Sequence, residues 1–332
     1  MLQGWLASLL LSFAVVITSP AVASKEMAKE EVNYWLNSKQ VQLKVSEFVR
    51  LVEKDEIDSL KFSINRLALP QQEVARFLLL QNIEQRDIIL TSKMAIFVRG
   101  QQSLAPTYTV LERGEGYEFS VPAFNYPAIS SRLIKQWQND QKTLDFILLT
   151  ESGQLNLREW LSEGSDYDKQ NRESVLVNEF DSLSPRGSDF LIGQLTNTKV
   201  TEWLPSTRVL VRMAQESEDE QLYQLLWKMR ADHNSQSELE RLAALDTPFS
   251  QQQIMLAAMN PSLKNQALSE LAQINPLPDE VKQFLVSRMT TSDDASFVAQ
   301  QLAQYGHSGW VRDVVSTNSD VKENLILRAL SN

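Results

Sequence analysis

The stretch from Leu263 to Met289 reads LKNQALSELAQINPLPDEVKQFLVSRM, and its apolar side chains follow the period of an α-helix twice in succession. The first set is Leu263, Ala267, Leu268, Leu271 and Ile274, and the second is Val281, Phe284, Leu285 and Met289. Asn275-Pro276 separates the two sets, and proline is tolerated in the first turn of a helix but not in its interior. The stretch therefore predicts two short amphipathic helices joined by a tight connection.

Residues 205–332 repeat this pattern, with apolar runs of ordinary helix length between polar or proline-containing breaks. One break, Ser217-Glu218-Asp219-Glu220, fits a capping box in which Ser217 caps a helix and Glu220 bonds back to it. We predict about nine short helices in this region, arranged in pairs of about 30 residues. Short connections between them favour antiparallel neighbours.

Two segments, at residues 261–274 and 309–316, resemble the second helices of HEAT-like repeats. The resemblance is carried by LKNQAL at 263–268 and WVRDVV at 310–315. It implies an α-solenoid of stacked helix pairs with an extended protein-binding surface. The alternative is a compact orthogonal helical domain, because a true array keeps a more even period than these helices have.

The spacing of glycine extends the helical prediction to most of the chain. Of the 10 Gly, none lies between Gly4 and Gly100 or between Gly193 and Gly306, whereas sheets usually need Gly in their turns. We predict a mainly α, multi-helical array or α-solenoid-like fold with a small β-hairpin in its central segment. The predicted parts are a signal peptide (1–23), an N-terminal helical region (24–104), a central region (105–200) and a C-terminal helical array (201–332).

The central region contains the hairpin signal. Apolar and polar residues alternate from Tyr108 to Val121 on both sides of the turn Arg113-Gly114-Glu115-Gly116. Behind the hairpin we predict helices over residues 128–138, 144–149, 155–161, 173–180 and 189–195. Aromatic side chains cluster around the strands, and they form either a platform for a peptide or glycan or the core that docks the hairpin. The candidate binding residues are Tyr108, Tyr117, Phe119, Phe124 and Tyr126.

The first 23 residues carry no charged side chain, and they predict where the protein works. An apolar run from Leu6 to Ile17 is followed by Pro20 and by Ala21-Val22-Ala23, which is typical of a signal peptide cleaved after Ala23. The rival interpretation is an uncleaved anchor, but the run is shorter than the roughly 20 residues that span a bilayer. We therefore expect a periplasmic or secreted bacterial protein without stable membrane insertion after cleavage.

Charge and composition argue against several classes of function. The formal net charge is −10, so a nucleic acid would gain little from counterion release. The chain has 2 His and no Cys, and His233 and His307 stand alone, so we predict no zinc site, no other metal and no cofactor. The acidic segment with Glu163, Asp166 and Asp168 departs from the EF-hand pattern, because Asn171 replaces the glycine that the pattern needs.

Two short segments resemble catalytic motifs without their partner motifs. Thr150-Glu151-Ser152-Gly153 resembles the catalytic segment of soluble lytic transglycosylases, which implies Glu151 as a general acid with a raised pKa. Ser319-Asp320-Val321-Lys322 fits the Ser-x-x-Lys pattern of penicillin-binding proteins and β-lactamases. The other motifs of both families are missing, so we predict no catalytic residue.

The sequence thus favours a non-enzymatic interaction or scaffold protein with a protein partner. The alternatives are a cell-wall (peptidoglycan) enzyme and a glycan- or peptide-binding protein that uses the central aromatic residues.

Overall fold

The computed structural model describes residues 24–114, 116–197 and 203–331. Within these residues it has eighteen α-helices and one small three-stranded sheet, and 72% of the chain is helical, which confirms the mainly α prediction. The predicted signal peptide and its cleavage site after Ala23 lie outside the described residues. No helix in the described ranges has the length and the apolar content that crossing a bilayer requires. The chain divides into two compact units, residues 1–141 and 142–332.

Unit 1, residues 1–141, has its own hydrophobic core, which is built mainly from five helices and the base of the sheet. Its elements are β1 Lys25–Glu26, α1 Lys29–Leu36, α2 Lys39–Glu53, α3 Ile57–Asn65, α4 Leu69–Gln85, α5 Ser92–Gln102, β2 Tyr108–Gly114, β3 Tyr117–Pro122 and the first part of α6 Tyr126–Glu151. The helix α2 packs on α4, and it buries Val41, Val45, Phe48, Val49 and Val52 along one stripe. Burying each such side chain contributes about 1.5–3 kcal/mol, so this stripe anchors the unit.

The sheet has the order β1-β2-β3, with β1 parallel and β3 antiparallel to β2. The register places Tyr117 opposite Gly114 and Val121 opposite Val110, so the predicted hairpin is present, but Arg113 and Gly114 belong to β2 and not to the turn. A buried carboxylate holds the start of β2: Glu73 on α4 accepts hydrogen bonds from the backbone N–H of Thr107 at 2.6 Å and of the next residue. A buried carboxylate needs such donors, because an uncompensated charge away from water is costly.

One continuous helix, α6, replaces two helices that the sequence analysis separated at residues 128–138 and 144–149. The polar run Asn139-Asp140-Gln141-Lys142 interrupts the apolar period, but it contains neither Gly nor Pro. Polar side chains on a solvent-facing turn do not stop a helix, and these four residues are exposed.

Unit 2, residues 142–332, has a second core that runs through all its helices. Its elements after the end of α6 are α7 Leu157–Ser162, α8 Asp166–Glu179, α9 Pro185–Thr196, α10 Thr207–Ser217, α11 Glu220–Lys228, α12 His233–Leu245, α13 Pro248–Ala257, α14 Lys264–Gln273, α15 Asp279–Met289, α16 Ser292–Gln304, α17 Ser308–Thr317 and α18 Glu323–Leu330. A single turn of 3-10 helix, Phe180–Ser182, follows α8.

The helices of unit 2 are stacked in two rows. In the first row α8, α10, α12, α14, α16 and α18 each contact the next, and in the second row α9, α11, α13 and α15 do the same. Between Thr207 and Leu330 the structure has nine helices, as predicted, and the first-row helices from α10 onward begin about 30 residues apart. Each helix pair therefore buries its apolar stripes against the preceding and the following pair.

The start of α11 corrects one detail of the sequence analysis. The N-cap is Asp219 and not Ser217, and its carboxylate accepts hydrogen bonds from the backbone N–H groups of Gln221 and Leu222, both at 2.9 Å. Ser217 is the last residue of α10, and Glu218 follows it in a left-handed conformation with φ of 50°. The connection between the two helices therefore consists of Glu218 and Asp219.

Candidate functional site

The structure separates the five predicted aromatic residues into two groups. The side chains of Tyr108, Phe124 and Tyr126 are buried in the core of unit 1, where they are 7%, 0% and 1% exposed. Those of Tyr117 and Phe119 are 64% and 39% exposed. The five therefore do not form one platform, although Tyr117 and Phe119 do lie side by side.

The buried group supports the base of the hairpin. Burial raises the pKa of Tyr108 and of Tyr126, and the nearby charge of Glu73 raises both further. The ring of Phe124 lies 6.3 Å from that of Phe77 on α4. Core residues already cover the ring faces that a ligand would need, so these contacts belong to a packed core.

The exposed pair lies on the far end of β3, beyond the core. The ring centroids of Tyr117 and Phe119 are 5.6 Å apart. The ring of Tyr117 lies directly over Gly114, where even a Cβ atom would approach it to 2.8 Å, so glycine permits this cross-strand contact. The result is a small apolar surface on an exposed strand.

Glu151 does not have the environment of a general acid. Its carboxylate accepts hydrogen bonds from the backbone N–H of Ser184 at 2.7 Å and from the Ser184 hydroxyl at 2.5 Å. These bonds, first that of the hydroxyl and then that of the N–H, lower the pKa of Glu151, whereas a general acid near neutral pH needs a raised one. Glu151 thus lies at the N-terminus of α9, where a negative charge is stabilised.

The other motifs found in the sequence have structural roles. Ser319 lies in a turn ahead of α18 rather than inside a helix, so Lys322 does not follow it by one helical turn. In the acidic segment, Ser165 and Asp168 form a capping box at the start of α8. The hydrogen bonds from the Ser165 hydroxyl and backbone lower the pKa of Asp168. Among the described residues, no cluster of His, Asp or Glu fits a metal ion.

A cleft of about 470 Å³ in unit 2 is the feature that the sequence analysis missed. It lies between the C-terminal ends of α11 and α13 and the loops that follow them, and we call it the α11/α13 cleft. Its lining includes Gln224, Trp227, Lys228, Arg230, Leu256 and Met259. The two loops are about 30 residues apart in sequence, and the stacking of successive helix pairs brings them together.

Asn260 fixes the geometry of this cleft. Its Nδ2 donates hydrogen bonds to the carbonyl oxygens of Trp227 and Met229, both at 2.8 Å, which ties the loop after α13 to the end of α11. Its Oδ1 accepts from the backbone N–H of Ser262 at 2.9 Å. A single side chain therefore satisfies backbone groups of both loops and fixes their spacing at the cleft.

The floor of the α11/α13 cleft is apolar and its rim is cationic. Trp227 is 4% exposed, and its indole N–H has no acceptor among the described residues. The thioether of Met259, a residue 63% exposed, accepts a weak hydrogen bond from Arg288 at 3.8 Å. On the rim, Lys228 and Arg230 are exposed, and neither side chain pairs with another described residue.

The buried acids of unit 2 are held by cations and hydroxyls and belong to its framework. Glu238 on α12 is 1% exposed, accepts a hydrogen bond from the Tyr223 hydroxyl at 2.7 Å and pairs with Arg241. Burial, followed by the bond to Glu238, raises the pKa of Tyr223. Asp294 on α16 pairs with Lys264 and Arg288, which lie on the preceding helix pair.

Two of the clefts in unit 1 are nearly as large as the α11/α13 cleft. One, of about 360 Å³, is lined by Trp137, Ile89 and Asp87, and the other, of about 400 Å³, by Arg76, Gln101 and Ile96. Among the described residues that line these clefts there is no Ser, Thr, Cys or His, and the first cleft has two carboxylates, Asp87 and Asp140.

Comparison of the chain with protein-family models, with curated proteins and with solved structures finds no match.

Proposed function

We propose that this protein is a non-enzymatic interaction protein of the periplasm or of the secreted fraction, and that unit 2 binds a protein partner. The observation that carries the proposal is the two-row stack of helix pairs. Such a stack displays successive inter-helix loops side by side, and their combined surface suits a protein better than a small substrate. The α11/α13 cleft crosses two of these loops.

The proposed location rests on residues 1–23. Their uncharged apolar run and Ala-x-Ala ending are typical of an exported bacterial protein. The absence of Cys is compatible with that compartment, because two large cores stabilise the chain without disulfides. The N-terminal residue of the mature chain is a direct test. Export with cleavage gives Ser24 in an osmotic-shock fraction, whereas a cytosolic chain that keeps residues 1–23 contradicts the proposed location.

The environment of Glu151 favours a binding protein over a cell-wall enzyme. The carboxylate that resembles a catalytic acid is engaged by Ser184, and its lowered pKa keeps it ionised at neutral pH. Incubating the purified chain with peptidoglycan checks this choice. Unchanged muropeptides agree with the proposal, and new cleavage products contradict it.

The proposed partner is tested by quantitative co-purification. The tagged chain, expressed with its own leader at native abundance in its source cells, is cross-linked in the cell and isolated. A second exported protein of similar acidity serves as the control for charge-driven adsorption. We expect one partner in near-stoichiometric amount that the control does not retain, and reproducible isolation of the chain alone would contradict the proposal.

A further inference from the structure

The rim of the α11/α13 cleft is cationic, whereas the chain as a whole is acidic. The chain has a formal net charge of −10, yet two exposed cations, Lys228 and Arg230, stand on the rim of this cleft. No Asp or Glu is among the described residues that line it. A local positive potential on an acidic protein attracts a negatively charged group and repels the cations that the rest of the surface attracts.

The two rim cations lack the pairing that three arginines of unit 2 have. Arg241 pairs with Glu238, Arg288 with Asp294, and Arg212 with Asp181 at 3.0 Å. Lys228 and Arg230 make no ion pair or side-chain hydrogen bond with a described residue. Their charges are therefore available to a ligand without breaking an internal contact.

Between these cations and the loop after α13 the cleft offers apolar surface. Met259 is exposed, and Leu256 and Met229 are partly buried beside it. Methionine side chains adapt to differently shaped apolar partners. The ligand that fits both features carries an anionic group next to an apolar group.

We infer that the α11/α13 cleft binds a segment of the partner protein in which an Asp or Glu side chain lies next to an aromatic or aliphatic one. The carboxylate lies between Lys228 and Arg230, and the apolar side chain packs on Met259 and Leu256. This inference rests on the proposed function, because it names the recognition chemistry of the same unit. A polyanion such as RNA fits less well, since it has no use for the methionine surface and needs more than two cations.

The probe is a displayed library of random twelve-residue peptides, each fused at its C-terminus so that it presents no terminal carboxylate. The full-length mature chain is the bait, and enriched peptides are synthesised with a blocked C-terminus. Their dissociation constants are measured by fluorescence anisotropy against the wild type, the variant Lys228→Glu/Arg230→Glu and the neutral variant Lys228→Gln/Arg230→Gln. The matched control, Arg312→Glu/Lys322→Glu, reverses two exposed charges elsewhere in unit 2.

We expect enriched peptides that place Asp or Glu within two positions of an aromatic or aliphatic residue. Charge reversal should weaken their binding at least tenfold, the neutral variant should give an intermediate loss, and the control should change the dissociation constant less than twofold. Raising the salt from about 0.1 M to about 1 M should also weaken binding, because the screening length falls from about 10 Å to about 3 Å. Melting curves check that every variant is folded.

Enrichment without acidic residues, no enrichment at all, or unchanged binding by Lys228→Glu/Arg230→Glu would overturn the inference. Co-purification separates this failure from that of the proposed function. If the charge-reversed chain retains the cellular partner in undiminished yield, the cleft is not the binding site although the proposed function stands. If the wild-type chain retains no partner, the proposed function itself fails.

Discussion

The carboxylate of Glu151 receives both the backbone N–H and the hydroxyl of Ser184, at 2.7 and 2.5 Å. Glu151 ends α6 and Ser184 caps α9, so one side chain joins the ends of two helices that are 33 residues apart in sequence. The same carboxylate approaches Gly187 so closely that a Cβ there would lie 2.7 Å from its oxygen. The contact is structural and leaves Glu151 without the free proton of a general acid.

The substitution Glu151→Gln should lower the melting temperature of unit 2 at pH 7. The folded state holds the pKa of Glu151 below its usual value. The ionised carboxylate therefore stabilises the fold above the pKa of Glu151 in the unfolded chain, and this stabilisation is lost as the pH falls through the pKa of the folded state. The difference between variant and wild type should therefore shrink on acidification below about pH 4. Differential scanning calorimetry at several pH values measures it.

Glu163→Gln is the matched control for that experiment, because Glu163 is exposed and its side chain makes no hydrogen bond or ion pair with a described residue. It should leave the melting temperature unchanged. Ser184→Ala should also lower the melting temperature. The decrease in the double variant Glu151→Gln/Ser184→Ala should be smaller than the sum of the decreases in the two single variants. Full additivity would contradict a direct contact between the two side chains.

Asp294→Asn should destabilise the chain by about 3 kcal/mol, because it leaves two partly buried cations without their counter-ion. Asp294 is 2% exposed and pairs with Lys264 at 2.6 Å and with Arg288. Burial raises the pKa of Asp294, but the bond from Lys264 and the charge of Arg288 outweigh it, so the pKa is lowered. The free energy of unfolding, from urea titration, measures the loss, which should diminish below about pH 4.

The neighbouring Asp293→Asn is the control for the loss of one acid from the first turn of α16. Asp293 is exposed, and its removal should cost about 0.5 kcal/mol through the helix dipole alone. Equal losses for the two substitutions would show that the pairing of Asp294 with the preceding helix pair does not stabilise the stack.

Gln253→Met should stabilise the chain by about 1–2 kcal/mol. Gln253 on α13 is 0% exposed, and neither its Nε2 nor its Oε1 has a hydrogen-bond partner among the described residues. A buried polar group without a partner costs about 1–3 kcal/mol, and methionine fills nearly the same volume without that cost. Urea titration measures the gain, and exposed Gln252→Met should change the free energy of unfolding little. A loss of stability in Gln253→Met would mean that the amide is satisfied in solution.

Glu270→Gln should stabilise the stack by about 0.5 kcal/mol at neutral pH. Burial first, and then the charge of Glu240 on the neighbouring α12, raises the pKa of Glu270. Because the folded state raises this pKa, the destabilisation by the charged Glu270 is complete above the folded-state pKa and disappears as the pH falls to the pKa of the unfolded chain. The stability gained from Glu270→Gln should therefore vanish in acid. A double-mutant cycle with Glu240→Gln, by urea titration at pH 7, checks the pairing. The gain from Glu270→Gln should be smaller in the Glu240→Gln background, and an unchanged gain would exclude the repulsion.

The sequence predicts the helices and the hairpin of this protein well, because both follow from the local period of apolar residues. It fails where two local signals compete. Both Ser217 and Asp219 can cap a helix, and only the left-handed turn at Glu218 favours Asp219. Likewise, the polar run inside α6 breaks the apolar period without breaking the backbone hydrogen bonds.

The candidate site could be predicted less well, because it depends on contacts between distant residues. Strand alternation puts Tyr108 and Tyr117 on the same face of the hairpin, but it does not say where the core ends, and one is buried while the other is exposed. The α11/α13 cleft gives no local signal at all. Lys228 ends a helix, where a cation is ordinary, and Met259 follows another, so only the stacked pairs reveal their proximity.

Site-specific photo-crosslinking in the source cells tests the central claim, that unit 2 binds a protein, most directly. A benzophenone side chain is placed, one position at a time, at exposed residues of α10 to α17 and at exposed residues of unit 1. The account predicts adducts of one mass, concentrated at neighbouring positions of unit 2 that include Gln224, and none at Ser237 on the opposite row. No adduct from any position of unit 2, or adducts scattered evenly over both units, would contradict it.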